Sequence, residues 1–86
     1  MKVFKVWVDK WRYDDYDSFV CVANSKDEIR NRISIDKLNR RVIDMSGNGA
    51  YEQYVVFEDY QGEIHIEEVN LNVDKPYIVC SSYNAG

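Results

Sequence analysis

The first apolar run of the chain, residues 3–8, constrains the fold more than any other feature. Successive side chains of a β-strand point to opposite faces, and both alternating sets of this run are mainly apolar. That pattern is typical of a strand that is covered on both faces along part of its length. A second β-rich run, residues 18–23, follows the polar and aromatic stretch 9–15. We predict that the two runs pair as a hairpin with a long loop.

The size and composition of the chain predict one small folded domain. A chain of 86 residues is short enough that folding buries only about 60% of the surface exposed by the unfolded form. Hydrophobic residues make up 45% of the sequence and aromatic residues 14%, which is too apolar for a disordered chain. We therefore expect residues 1–86 to form a single domain whose large aromatic side chains supply much of the core.

Two helices are predicted in the middle of the chain. Residues 25–28 have the form of a capping box, in which the Ser25 hydroxyl accepts from the amide of Glu28 and the Glu28 side chain returns to the Ser25 amide. A second apolar stripe, with spacings of three, four and three, predicts another helix over residues 35–45 that ends before Gly47. The residues of this stripe are Ile35, Leu38, Val42 and Met45.

The second half of the chain reads mainly as strands. Residues 54–57 and 63–67 flank a turn-like sequence at 59–62 and predict a second hairpin. The apolar parity changes after Glu67, which predicts a bulge near Glu67 and Glu68, and residues 77–80 read as a last strand. The predicted fold class is α+β: a mostly antiparallel sheet of about five strands with one or two helices on one face, in the order ββααβββ. A ferredoxin-like variant is the alternative.

The charge of the chain is unevenly distributed. The net charge is −4, yet residues 1–43 hold ten Lys and Arg against seven acids, whereas residues 44–86 hold one Lys against eight acids. An acidic chain without a basic stripe is repelled by phosphate backbones, so we expect no direct nucleic-acid binding. The first ten residues carry three lysines and lack the apolar core of a signal peptide. No stretch approaches the roughly 18 apolar residues of a membrane span, and we expect a cytoplasmic protein.

The aspartates near residue 15 resemble a metal site only superficially. Asp14, Asp15 and Asp17 supply the oxygen ligands that hard cations prefer. A calcium loop needs alternating acids, a glycine and a glutamate at a fixed interval, whereas here Tyr16 interrupts the acids and no glycine follows. We predict a solvated loop with neither a metal nor another cofactor.

The catalytic residue types are present without a catalytic pattern. His65, the only histidine, is predicted to lie on a strand face with Glu63 and Glu67, where it could act as a general base. Cys21 and Cys80 each lie in an apolar strand-like run and form no Cys-x-x-Cys motif. We predict that both cysteines are thiols in the interior of strands and that the strand face around His65 is exposed to solvent. We therefore expect that the protein is not an enzyme.

Two groups of side chains are candidate partner surfaces. The first holds five cations within twelve residues around the predicted helices, four of them Arg, whose planar fork suits carboxylate or phosphate recognition. The second is aromatic and contains Trp7, Trp11 and Tyr13, residue types that often dominate binding energy. The candidate binding residues are Trp11, Tyr13, Arg30, Lys37, Arg40 and Arg41.

Motifs near the two ends of the chain resemble an uncharacterised family of small proteins that bacteriophages and prophages encode. The first motif runs over residues 13–18 into an apolar strand, and the second is the closing sequence 81–86. The resemblance covers residues 2–30 and the final strand and tail, about half of the chain. The matching positions are Tyr13, Asp14, Tyr16, Asp17, Ser18, Ser82, Asn84, Ala85 and Gly86.

The resemblance implies a context and carries no catalytic residue with it. A phage-type gene product acts inside a bacterium, where small acidic proteins often bind and block host factors. Our leading hypothesis is therefore a non-enzymatic interaction protein that inhibits or redirects a host protein, of which a defence protein is one candidate, with self-association into a homo-oligomer left open. The alternatives are an oligomer that sequesters a small phosphorylated molecule through Arg40, Arg41 and residues 46–49, and a small enzyme using His65 or a cysteine. The closing segment is expected to dock, with Tyr83 packed on the body.

Overall fold

A computed structural model describes residues 1–9, 16–46, 53–58 and 62–81. Strands dominate these ranges, and the one helix among them is short. The elements are β1 (Lys2–Val8), β2 (Ser18–Ala23), α1 (Lys26–Arg30), β3 (Ile33–Ile35), β4 (Arg41–Asp44), β5 (Tyr54–Phe57) and β6 (Ile64–Glu68).

The strands form two antiparallel sheets of three strands each. The first sheet has the order β2-β1-β6 and the second has the order β3-β4-β5. The predicted hairpin of β1 and β2 is confirmed, with Val6 opposite Phe19. On its other side β1 pairs with β6, which brings Val6 opposite Ile66. The doubly apolar run therefore becomes the central strand of its sheet.

The inner faces of both sheets share one core. Alternate residues of β1 lie inside, and Ile29 of α1 and Phe57 of β5 join them. The rings of Phe19 and Phe57 lie 6.1 Å apart and connect the two sheets directly. Burying one such side chain stabilises the fold by roughly 1.5–3 kcal/mol. The buried residues are Phe4, Val6, Val8, Ala23, Ile29, Ile43 and Phe57.

The predicted α+β fold class is wrong, because the segment predicted as a second helix forms the hairpin of β3 and β4. A tight turn at residues 36–40 interrupts the apparent helical stripe. Oδ1 of Asp36 accepts from the amides of Leu38 at 2.9 Å and Arg40 at 3.0 Å. Asn39 has a φ of 60°, a left-handed conformation that Asn tolerates well. The β-branched residues on either side then favour strands. Gly47, the predicted helix end, lies outside the described residues.

The first predicted helix is confirmed, although it has only five residues. Ser25 Oγ accepts from the Glu28 amide at 3.2 Å, as a capping box requires. Oε2 of Glu28 accepts from the amide of Asn24 at 3.3 Å, one residue earlier than predicted. The helix buries Ile29 and ends at Asn31, whose amide donates to the carbonyl of Asp27 at 2.9 Å.

Three predictions for the second half are wrong. β5 and β6 do not form a hairpin, since β5 pairs with β4 and β6 pairs with β1; residues 59–61 of the proposed turn lie outside the described residues. β6 runs in regular register through Glu68, and the Val69 amide donates to the carbonyl of Val3 at 2.8 Å, so no bulge occurs there. Residues 77–80 form no strand. The segment 70–81 is irregular, and Tyr77 Oη donates to the carbonyl of Asn70 at 2.8 Å.

Candidate binding surface

The outer face of the first sheet carries a row of polar and aromatic side chains. Odd-numbered residues of β1 point away from the core, because the alternate residues Phe4, Val6 and Val8 are buried. The register sets Trp7 between Ser18 of β2 and His65 of β6. It also sets Lys5 opposite Glu67. The central strand thus presents an aromatic residue flanked by polar groups on both neighbouring strands.

Trp7 contacts two groups that can carry positive charge. Its ring stacks on that of His65, with centroids 5.0 Å apart and an interplanar angle of 23°. The ammonium nitrogen of Lys5 lies 4.8 Å from the centroid of the Trp7 ring, within range of a cation–π interaction. Both contacts restrict the rotamer of the tryptophan, so its exposed edge has a defined position.

A carboxylate completes the row. Nε2 of His65 lies 2.8 Å from Oδ2 of Asp9, which follows β1 directly. The hydrogen bond to Asp9 is the main cause that raises the pKa of His65 above its ordinary value of 6.5. The nearby charge of Glu63 acts in the same direction, and partial desolvation opposes it. We call Lys5, Trp7, Asp9 and His65 the Trp7 row.

Segments from both ends of the chain meet beside the Trp7 row. A small cavity of about 120 Å³ is lined by Trp7, by Asp17 and Ser18 of the first motif, and by Ser81 at the start of the closing sequence. Ser18 Oγ donates to Oδ1 of Asp17 at 3.1 Å. The described ends of the two segments, Asp17 and Ser18 of the first and Ser81 of the second, are therefore distant in sequence and adjacent in space.

The remaining motif and aromatic predictions can be placed only in part. Tyr16 is exposed at the start of the described segment before β2. The other candidate residues of these groups lie outside the described residues, as does Tyr83 of the proposed docked tail. They are Trp11, Tyr13, Asp14, Ser82, Asn84, Ala85 and Gly86.

A second hollow lies under the irregular segment 70–81. Its volume is about 320 Å³, and its walls include Lys5 and Glu67 from the sheet and Val73, Tyr77 and Val79 from the segment. The segment thus passes over the outer face of the sheet before it reaches Ser81. This path continues the candidate surface from the Trp7 row toward the end of β6.

The predicted basic surface is not one helical face. Arg30 ends α1 and binds Asp27 at 3.2 Å, Lys37 lies exposed in the turn between β3 and β4, and Arg41 belongs to β4. Arg40 binds Asp36 at 2.6 Å and Glu58 at 3.2 Å. The guanidinium of Arg40 lowers the pKa of Asp36, chiefly through their side-chain hydrogen bond. These cations are distributed over three elements, and carboxylates already bind two of them.

The nucleophilic and metal-ligating groups are not assembled into a reactive site in the described part of the chain. Both cysteines are free and half-buried, and burial raises the pKa of the Cys21 thiol, which makes it a poorer nucleophile. No three His, Cys, Asp or Glu side chains of the described residues are grouped to hold a metal ion. Nor does any helix among them have the length and apolar character needed to cross a membrane.

Sequence patterns alone do not predict the Trp7 row. In the sequence, His65 and Trp7 belong to separate candidate groups, and no pattern marks Asp9 or Lys5. The signal that unites them is the pairing of β1 with β6, whose residues are more than fifty positions apart.

Compared with known proteins, the chain matches no family model, no curated protein and no solved structure.

Proposed function

We propose that this chain is a non-enzymatic interaction protein of a phage or prophage, and that it binds and inhibits or redirects a host protein inside the bacterial cell. The proposed binding surface is the Trp7 row with the two motif segments beside it. What carries the proposal is the cavity beside Trp7, where Asp17, Ser18 and Ser81 come together. The contact of Ser81 with Asp17 and Ser18 around one cavity supports a common role for the two segments.

The composition of this surface suits a protein partner. Trp is among the residue types that contribute most to interface energetics, and Trp7 is held in place by Lys5 and His65. A fixed aromatic side chain loses little conformational entropy on binding. The surface therefore offers a preorganised anchor with polar groups around it, as interface centres commonly do.

The charges around the anchor indicate a partner with a basic surface. Four described carboxylates lie in the Trp7 row or beside it, and the lysine of the row, Lys5, already contacts the Trp7 ring. Long-range attraction between an acidic face and a basic one accelerates association and weakens as salt is added. The carboxylates are those of Asp9, Asp17, Glu63 and Glu67.

The alternative of phosphate sequestration gains no support from the described residues. One of its two proposed arginines, Arg40, already donates to Asp36 and to Glu58, and the other, Arg41, lies on β4. A phosphate would have to displace two carboxylates to bind this guanidinium. Residues 47–49 of the glycine-rich loop lie outside the described residues.

Quantitative capture from bacterial lysate tests the proposal. The bait proteins are the wild type, Trp7→Leu, and Leu38→Ala as a control at an apolar residue that is 70% exposed in the turn between β3 and β4. We expect a host protein to be enriched by the wild type and by the control, to be lost with Trp7→Leu, and to be released by salt. Equal capture by all three folded baits, or capture by none, contradicts the proposal.

A further inference from the structure

One side of the sandwich exposes the edges of both sheets. β2 and β5 are edge strands, and together they line a groove of about 560 Å³ whose walls include Phe19, Cys21 and Met45. Neither strand contains a charged residue. Natural edge strands are usually protected from pairing by charges, prolines or bulges. β2 and β5 have no charge or proline along their edges.

The free edge of β2 is also apolar on its outer face. Val20 is 47% exposed and Val22 is 56% exposed. The Val8 amide donates to the carbonyl of Asp17. The odd-numbered residues of β2 therefore use their backbone N–H and C=O groups in hydrogen bonds to β1. Since the direction alternates along an antiparallel strand, the N–H and C=O groups of Val20 and Val22 point away from β1. They are available to a further strand.

We propose that two copies of this chain associate through antiparallel pairing of β2 with β2, with Cys21 of one copy opposite Cys21 of the other on a two-fold axis. Each Val20 then forms a hydrogen-bonded pair with Val22 of the second copy. The two first sheets join into one of six strands, in the order β6-β1-β2-β2-β1-β6. This interface does not rest on the proposed function and does not use the Trp7 row, although Asp17 and Ser18 at one end of β2 belong to both surfaces.

Two observations favour a second copy over a single strand from another protein. The first is that both layers have an open, uncharged edge at the same groove. A two-fold axis perpendicular to the sheets keeps each layer on its own side, so a second copy covers β2 and β5 together. One added strand would cover only one of these edges and leave the groove open.

The second observation is the charge at the two ends of β2. Asp17 precedes the strand, and Lys26 begins α1 three residues after the strand ends. Antiparallel pairing centred on Cys21 sets Asp17 of each copy opposite Ser25 of the other, next to Lys26, while the adjacent Asp27 binds Arg30 of its own chain. The acidic and basic side chains at the two ends of the paired strands are therefore complementary. The pairing places no like charges opposite each other along the strands.

Sedimentation over a range of concentrations tests the association. The wild type is expected to sediment at twice its mass of 10.2 kDa. Val22→Lys places a charge on the proposed edge and is expected to sediment as one copy. The control is Ile35→Lys, which places the same charge on the edge strand β3 at a residue that is 57% exposed. This variant is expected to sediment as a pair of chains. Circular dichroism verifies that both variants fold.

Thiol cross-linking tests the register. In a non-hydrogen-bonded antiparallel pair the opposing Cα atoms are about 4.5 Å apart, a separation that a disulfide can span. With Cys80→Ser, which keeps Cys21, diamide is expected to accept two electrons and two protons from two thiols and to leave a covalent pair of chains. With Cys21→Ser it is expected to leave single chains. A protein that sediments as one copy, pairs that survive Val22→Lys, or cross-linking that needs Cys80 would each overturn the proposal.

Discussion

Nη2 of Arg40 lies 2.6 Å from Oδ2 of Asp36, and the pair closes the turn between β3 and β4. The other carboxylate oxygen of Asp36 accepts from the amides of Leu38 and Arg40. The Asp36 side chain therefore fixes the backbone of the turn and also binds the guanidinium of Arg40 at the end of the turn. Arg40 also reaches Glu58 at 3.2 Å, beyond the end of β5, so the turn is tied to the neighbouring strand.

Substitutions in the hairpin of β3 and β4 distinguish it from the helix that its sequence suggests. Ile43 is fully buried, whereas Ile35 is 57% exposed. We expect Ile43→Val to lower the free energy of unfolding by about 0.5–1.5 kcal/mol and Ile35→Val to change it little. A helix with the predicted apolar stripe would bury Ile35 and not Ile43. Urea denaturation that gave the larger loss for Ile35→Val would contradict the hairpin.

Asp36→Asn is expected to destabilise the fold at neutral pH. The folded pKa of Asp36 lies below its ordinary value of 3.8 because of Arg40. The stabilisation by the carboxylate is therefore complete above pH 3.8 and is lost as the pH falls through the folded pKa. Urea denaturation should give Asp36→Asn a lower free energy of unfolding than the wild type at pH 7, and this difference should become smaller in strong acid. The control Asp74→Asn, at an exposed residue of the segment 70–81, should show no comparable deficit.

The pKa of His65 should depend on Asp9. His65 is the only histidine, so its ring gives a single titrating signal in an NMR pH series. We expect a midpoint above 6.5 in the wild type and a lower midpoint in Asp9→Asn, because the substitution removes the main cause of the raised pKa. The pair contributes its full stabilisation below pH 6.5 and loses it as the pH rises through the folded pKa. An unchanged midpoint in Asp9→Asn would show that the two side chains do not interact.

Removal of the helix cap is expected to have a modest and local cost. Ser25→Ala leaves the amide of Glu28 without its side-chain acceptor and should lower the free energy of unfolding by about 1 kcal/mol. Ser34→Ala is the matched control, since Ser34 is exposed on β3. A denaturation midpoint that is the same for both variants would mean that the cap contributes nothing.

Local signals in the sequence predicted some elements correctly, and long-range pairing determined the rest. The cap at Ser25 and the hairpin of β1 and β2 depend on neighbouring residues, and both predictions are confirmed. The stripe over residues 35–45 has helical spacing, but the side chain of Asp36 and the left-handed Asn39 turn the chain back. No local pattern distinguishes this turn from a helical start.

In the candidate site too, local sequence predicts single residues but not how they come together. The residue type alone marks Trp7 as a possible binding anchor and His65 as a titratable group. Their stacking depends on the register of β1 with β6. The pairing of these strands, like that of β4 with β5, is decided by which faces bury together in the core. The apolar alternation within one strand sets which of its faces is buried but not which strand lies beside it.

Mapping of the interface by NMR is the most direct test of the proposed binding surface. Isotope-labelled protein is titrated with the host protein that it captures, and shifts of side-chain and backbone signals are followed. We predict that the largest changes fall on Lys5, Trp7 and His65 and on Ser81, while the turn of Lys37 and Arg40 is unaffected. Changes confined to that turn, or to the edge of β2, would contradict the assignment of partner binding to the Trp7 row.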